Sequence, residues 1–145
     1  MPQTTQFELV SPERVFFSEP VEMVVVPGTE GDFAALPDVL PMVAMVRPGL
    51  ITIFENEKPK ERIFVAGGVA EVDQTSCIVL AEEAYLLSEL KEEDAQARYE
   101  AAMADFQRGL ASFKGSSVMA PLETELDVAR AMMTAIRGEF SYPAP

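Results

Sequence analysis

Two hydrophobic periods divide this chain, and the switch between them near residue 85 limits its fold more than any other feature. Before the switch, short β-branched runs recur every ~8–12 residues with turn chemistry between them, the pattern of an antiparallel sandwich or barrel. Phe7–Ser11 is apolar-rich and ends in the turn Ser11-Pro12-Glu13-Arg14. Val15-Phe16-Phe17 follows, then the valine-rich run Val21–Val26. Arg47-Pro48-Gly49 turns into Leu50-Ile51-Thr52-Ile53-Phe54, and Glu55–Lys60 is a polar hairpin tip. Ile63-Phe64-Val65 is closed by Gly67-Gly68, which reads as a tight hairpin turn because glycine enters left-handed backbone freely. Val69-Ala70-Glu71-Val72 alternates, and Asp73-Gln74 turns into Thr75–Leu80.

After residue 85 the period becomes helical. Ser88 is positioned as an N-cap, with Glu89, Glu92 and Glu93 favoured by the positive end of the helix dipole. Tyr99, Ala102, Met103, Phe106, Leu110 and Phe113 make one apolar stripe, weakened by Gly109, whose cost relative to alanine is ~1 kcal/mol. Lys114-Gly115-Ser116-Ser117 breaks the pattern. A second helix is expected from about Pro121, with Leu122, Leu126, Ala129, Met133 and Ile136 forming a narrow seam for one partner helix and Gly138 ending it. The expected fold is therefore β + α: an N-terminal antiparallel β-sandwich over residues 1–87, a C-terminal antiparallel two-helix hairpin over 88–138, and a loose tail over 139–145. Both helices are rich in alanine, which buries little area per residue, so the hairpin is expected to dock weakly and to be able to detach.

Charge and missing residue types exclude several functions. The chain carries 24 acidic against 11 basic residues, a net charge of −13. The excess is spread over both halves, so neither nucleic acid nor an anionic lipid surface is an expected partner. No apolar run approaches the ~20 residues that span a bilayer, so direct membrane insertion is not expected. Met1–Val10 has neither a basic nor a long apolar segment, so a cleaved signal peptide is not expected. There is no histidine, the usual neutral-pH base and commonest metal ligand. The one cysteine, Cys77, lies in the apolar run Cys77-Ile78-Val79-Leu80 and reads as a core residue.

The remaining candidate chemistry is incomplete. Glu82-Glu83 and Glu92-Glu93-Asp94 flank a helix start and suit its dipole or a solvated face. In Val26-Pro27-Gly28-Thr29-Glu30-Gly31-Asp32-Phe33, the two glycines permit a tight turn. Its acids repel a phosphate and fall short of a calcium loop's oxygen set. No nucleophile, base and orienting group can be assembled, so the chain is expected to be neither an enzyme nor a cofactor or metal carrier.

Several stretches in this order resemble the epsilon subunit of F-type ATP synthases. They are Phe7-Glu8-Leu9-Val10-Ser11-Pro12, then Val21 through Phe33, then Arg47-Pro48-Gly49, then Ala66-Gly67-Gly68-Val69-Ala70-Glu71-Val72, then Val79-Leu80-Ala81. The likeness runs from about residue 6 to 85 and implies a ten-stranded sandwich followed by a helical hairpin. It implies a rotor subunit that links the gamma subunit to the membrane c-ring and couples proton flow to ATP synthesis. Its place would be peripheral, on the cytoplasmic face of the cell membrane. By the same resemblance Glu30, Gly31, Asp32 and Val39 fall at the c-ring interface, and Ser11, Phe16, Phe17, Met42 and Val43 at the gamma interface. Phe16 and Phe17 read equally as sandwich core.

The likeness has departures. Where the family runs Pro-Gly-His-Ala-Pro-Leu, this chain has Pro37-Asp38-Val39-Leu40-Pro41-Met42, which bears on the turn's backbone and removes any imidazole contact. Leu126-Asp127-Val128-Ala129-Arg130-Ala131 resembles the signature of ATP-binding members but lies in the second helix rather than the first. Asp127 and Arg130 therefore read as an intrahelical ion pair rather than as nucleotide ligands. In the family the hairpin can rise toward the catalytic alpha/beta head and inhibit hydrolysis with basic residues. Here the second helix offers Arg130 and Arg137 against Glu123, Glu125 and Asp127, so weak or no inhibition is expected. A rival reading is a free-standing sandwich that binds a small ligand beneath a helical lid, which would need an apolar pocket with convergent polar groups.

Overall fold

The computed structural model describes residues 4–138. Ten strands come first: β1 (Thr5–Ser11), β2 (Arg14–Val21), β3 (Met23–Gly28), β4 (Gly31–Ala35), β5 (Met42–Val46), β6 (Gly49–Glu55), β7 (Lys58–Val65), β8 (Gly68–Val72), β9 (Ser76–Ala81) and β10 (Ala84–Leu86). A 3-10 turn at Leu87–Glu89 leads to helices α1 (Glu92–Phe113) and α2 (Met119–Arg137). The strands hydrogen-bond in the order β10-β7-β6-β3-β5-β8-β9-β1-β2, with β4 beside β3. The single pair Gly28↔Val46 joins β3 to β5, and there the sheet folds into two layers. All neighbours are antiparallel except β1 and β9, a parallel pairing not visible in turn chemistry.

Burial explains the two kinds of strand. In β1, Thr5, Phe7 and Leu9 are buried and their neighbours are not, the two-residue alternation of a sheet with one wet face. Leu50-Ile51-Thr52-Ile53 in β6 and Ile63-Phe64-Val65 in β7 are buried continuously, because both faces of these strands are covered. Ile51, Ile53, Ile63 and Val65 point into the sandwich core with Phe7, Leu9, Val24 and Val79. Leu50 and Phe64 point outward, under the helices.

Several local expectations are corrected. Gly67-Gly68 is not a hairpin turn: β7 and β8 lie in different layers, and the pair carries the chain between them with φ of 115° and 153°. The run Val21–Val26 is broken at Glu22 into the end of β2 and the start of β3. Ser88 caps nothing; it sits in the 3-10 turn, and α1 begins at Glu92 after an extended Lys91. The buried side of α1 is Ala95, Ala102 and Gly109, whereas Leu110 and Phe113 are exposed. Gly109 has a packing role beside its propensity cost: a side chain there would meet Leu122 Cδ1 at 2.5 Å and Met119 Sδ at 2.9 Å, so its absence lets the helices approach closely. Finally, α2 is not a one-partner helix, since Leu126 and Ala129 face α1 while Val128, Met132 and Ala135 face the sandwich. Gly138 ends α2 in the left-handed conformation as expected, and the tail expected over 139–145 lies outside the described residues.

Candidate partner-binding site

The glycine-bracketed segment is a two-residue hairpin. Pro27 pairs with Asp32 and Gly28 with Gly31, leaving Thr29 and Glu30 at the tip. A Cβ at Gly28 would lie 2.6 Å from the Gly31 carbonyl oxygen, and Gly31 has φ of 130°, so the turn needs both glycines. Arg47 pins it from the β5–β6 connection. Its backbone N–H donates to the Pro27 carbonyl at 2.8 Å. Its guanidinium donates to the Gly28 carbonyl at 2.5 Å and to Asp32 Oδ1 at 2.6 Å. The Thr29 N–H donates to the Met45 carbonyl at 2.9 Å. Glu30 and Asp32 are thus unequal: Glu30 projects from a rigid tip, and Asp32 helps make it rigid.

Val39 does not join this group. The hairpin lies against the C-terminal end of β5, through Met45 and Val46, whereas Val39 precedes the N-terminal end of that strand and packs on the sandwich core. Its loop is tied to the β8–β9 turn by the Asp38 N–H donating to the Gln74 carbonyl at 3.0 Å. Asp38 has φ of 66°, in the left-handed region that glycine, asparagine and aspartate enter most readily.

The second layer presents an apolar row on its outer face. Met45 is opposite Val69, Val69 opposite Leu80, Leu80 opposite Val10, and Val10 opposite Val15. Met45 and Val15 are each 61% exposed and Leu80 is 50% exposed. A second row, Val43, Glu71, Ile78, Glu8 and Ser18, runs beside it. Side chains that directly face one another across strands form a continuous surface, so five strands contribute to one patch, and patches of this kind mark interaction sites.

Of the residues expected at the gamma interface, Val43 stands in the second row, 69% exposed, and Met42 is exposed at the start of β5. Ser11 is half-buried in the β1–β2 turn, where its hydroxyl donates to the Arg14 carbonyl at 3.4 Å. Phe16 and Phe17 are half-buried against the core; Phe17 lies 5.5 Å from Phe7 between ring centroids, and the Arg14 guanidinium covers Phe16 at 4.7 Å. Strand alternation reveals an outward apolar residue in each strand, but the row becomes visible only once register places them side by side.

Asp127 and Arg130 are not an ion pair, which corrects the sequence expectation. Among the described residues no salt bridge joins them; Asp127 lines one groove with Thr124, Gly67 and Leu80, and Arg130 another with Gln96, Tyr99 and Arg137. They do not converge on one ligand. Cys77 is fully buried, and burial pushes its thiol up to about 12, the behaviour of a core residue. Beneath the hairpin Leu50, Phe64, Ala66, Val128 and Met132 pack into one cluster, beside the groove that Ala66, Gly67 and Leu80 line with Thr124 and Asp127.

Residues 4–87 match the family model described as the ATP synthase delta/epsilon chain, beta-sandwich domain. An ATP synthase epsilon chain of Rhodospirillum rubrum is 59% identical over 102 residues, covering 70% of this chain and 76% of that one. One of Rhodospirillum centenum is 41% identical over 141 residues, covering 96% of each. The chain belongs to the ATP synthase epsilon-chain family. Its part is that of the family, a non-catalytic subunit of the rotor stalk. A chain of the Euglena gracilis mitochondrial ATP synthase has the same fold, with a TM-score of 0.75 at 21% identity, covering 94% of this chain and 83% of that one. The second relative extends the likeness through the helices, which the family model does not cover.

Proposed function

We propose that this epsilon subunit docks on the gamma subunit through the outer face of its second layer and meets the c-ring through the Thr29-Glu30 tip. In this reading the rigid sandwich transmits rotation between the two, coupling proton flow to ATP synthesis at the cytoplasmic face of the membrane. The observation that carries the reading is the five-strand apolar row from Met45 to Val15. An acidic protein that leaves such a row uncovered gains most by burying it against a partner, and the centre of an interface is where charge is depleted. The c-ring loops are polar, and an exposed carboxylate on a pinned hairpin suits a contact that must turn with the ring.

Two variants separate the contacts. Leu80→Glu places a charge in the middle of the row without entering the core; the chain should still fold but lose co-purification with gamma. Retained gamma binding would remove the row from the interface. Glu30→Lys changes the tip but leaves the Arg47 anchor intact; gamma binding should persist while ATP-driven proton pumping in inverted vesicles falls. Unchanged pumping would release the tip from any role in coupling.

A further inference from the structure

Building on the tip and row contacts proposed above, we propose that Arg47 is the positioning residue of the coupling contact: it ties the Thr29-Glu30 tip to β5, so that force on the tip passes directly into the strand that opens the apolar row. The end of the β3–β4 hairpin needs such a tie. β3 pairs with β6 only over residues 23–25, and beyond them its strand partner on that side is Val46 alone, through Gly28. Pro27 has no N–H to give, and Gly28 and Gly31 leave the backbone permissive. A two-stranded hairpin that projects past its neighbours holds its shape poorly in water.

Arg47 supplies what the missing strand would. Its backbone N–H holds the Pro27 carbonyl at 2.8 Å. Its guanidinium donates to the Gly28 carbonyl at 2.5 Å and to Asp32 Oδ1 at 2.6 Å. One planar fork therefore grips both arms of the hairpin, β3 through Gly28 and β4 through Asp32. A lysine ammonium, a single point of charge on a flexible stem, could not fix both arms with the same geometry. The anchor is itself constrained. Pro48 follows Arg47 and biases it toward extended backbone. A Cβ on Gly49 would lie 3.2 Å from Pro27 Cβ, so the connection runs in contact with β3.

The ties end on residues 45 and 47, either side of Val46. The Thr29 N–H donates to the Met45 carbonyl at 2.9 Å, while the Met45 side chain stands 61% exposed at the head of the row. Glu30 is thus linked to the row through Thr29 and Met45, a path that does not enter the sandwich core. A tip that moved relative to β5 would have to break the Arg47 bonds as well. Arg47 acts in this way through the tip rather than on a partner.

The test uses Arg47→Gln and Arg47→Lys, in the isolated full chain and in the complete ATP synthase in inverted vesicles. In the isolated chain, Arg47→Gln should speed amide exchange at Thr29 by about three- to tenfold, the scale of a half-exposed hydrogen bond to a charged group. The unfolding midpoint should hardly move. In vesicles gamma should still co-purify, but protons pumped per ATP hydrolysed should fall by about twofold or more, because a contact site works only as well as its supporting residues hold it. Arg47→Lys keeps the charge and should recover part of both effects. Lys60→Gln breaks the exposed pair with Glu55 at the opposite end of β6 and should change neither. A loosened tip with an unchanged pumping ratio would overturn the assignment, as would a tip whose exchange Arg47→Gln leaves alone. A fall in pumping accompanied by lost gamma or a lowered unfolding midpoint would also overturn it, since Arg47 would then be merely structural. Glu30→Lys, measured alongside, separates this assignment from the docking reading. If Glu30→Lys lowers pumping and Arg47→Gln does not, the tie fails and the contact stands; if neither does, the contact fails and takes the tie with it.

Discussion

Gly68 shows how much one residue can carry where the chain changes layers. A Cβ there would lie 2.0 Å from the Leu80 carbonyl oxygen and 3.0 Å from Ala81 Cα, at φ of 153°. Backbone cannot yield as a flexible side-chain end can, so Gly68→Ala is expected to cost about 2–4 kcal/mol, read as a lower midpoint in urea unfolding. Cys77 gives an opposite kind of prediction. Its thiol is buried and held up at about 12, so alkylation at mildly alkaline pH should be slow in the folded chain and fast in urea; rapid native labelling would mean that the core opens locally. At this scale the sequence was legible where chemistry is local. The Glu30 turn, the Cys77 core position and the Gly138 stop follow from residue types and their neighbours. The role of Arg47 was not, because its partners Gly28 and Asp32 are 19 and 15 residues away.

Between elements, the informative comparison is between α1 and α2. Large apolar residues defined the α1 stripe in the sequence, yet Leu110 and Phe113 are exposed while Ala95, Ala102 and Gly109 are buried. Close helix packing selects small residues, so hydrophobicity found the packed side through Tyr99, Ala102, Met103 and Phe106 but missed Ala95 and Gly109 and carried the stripe too far, to Leu110 and Phe113. Gly109→Leu should therefore separate the end of the hairpin by overpacking against Leu122 and Met119, at a cost of about 1–3 kcal/mol, seen as faster amide exchange in the last turns of α1. Strand identities were legible from turn signals, but Gly67-Gly68 was read as a hairpin because turn chemistry does not distinguish a tight reversal from a crossing between layers. The Arg98–Glu83 contact has a pH dependence of definite sign. Hydrogen bonding from Arg98, and secondarily from Tyr85, outweighs burial and holds the Glu83 carboxyl below its ordinary 4.5. A carboxyl depressed on docking stabilises the docked state fully above its undocked value and loses that contribution as pH falls through the docked one. Around it stand Arg98, Glu125 and Tyr85. The docked population should hold steady at neutral pH and decline only below 4.5; a decline already at neutral pH would assign the docking to some other group.

The whole molecule is built from two cores that share a wall. One fills the sandwich; the other lies between the outer faces of β6 and β7 and the hairpin, with Leu50 and Phe64 on its floor. Removing residues 88–145 therefore exposes one side of that wall and leaves the sandwich core untouched. The truncated chain should fold cooperatively, bind gamma through the row around Leu80, and be less soluble because Leu50, Phe64 and Ala66 are laid bare. In the assembled complex the same truncation should leave ATP hydrolysis nearly unchanged. An inhibitory contact with the head would need cations on the hairpin, yet Arg98 is committed to Glu83 and Glu125 and Arg137 is paired with Glu92. Arg130 is exposed on an α2 that also carries Glu123 and Asp127 on its surface, so steering toward an acidic target is weak. A large rise in hydrolysis on truncation would show that the hairpin inhibits despite this balance.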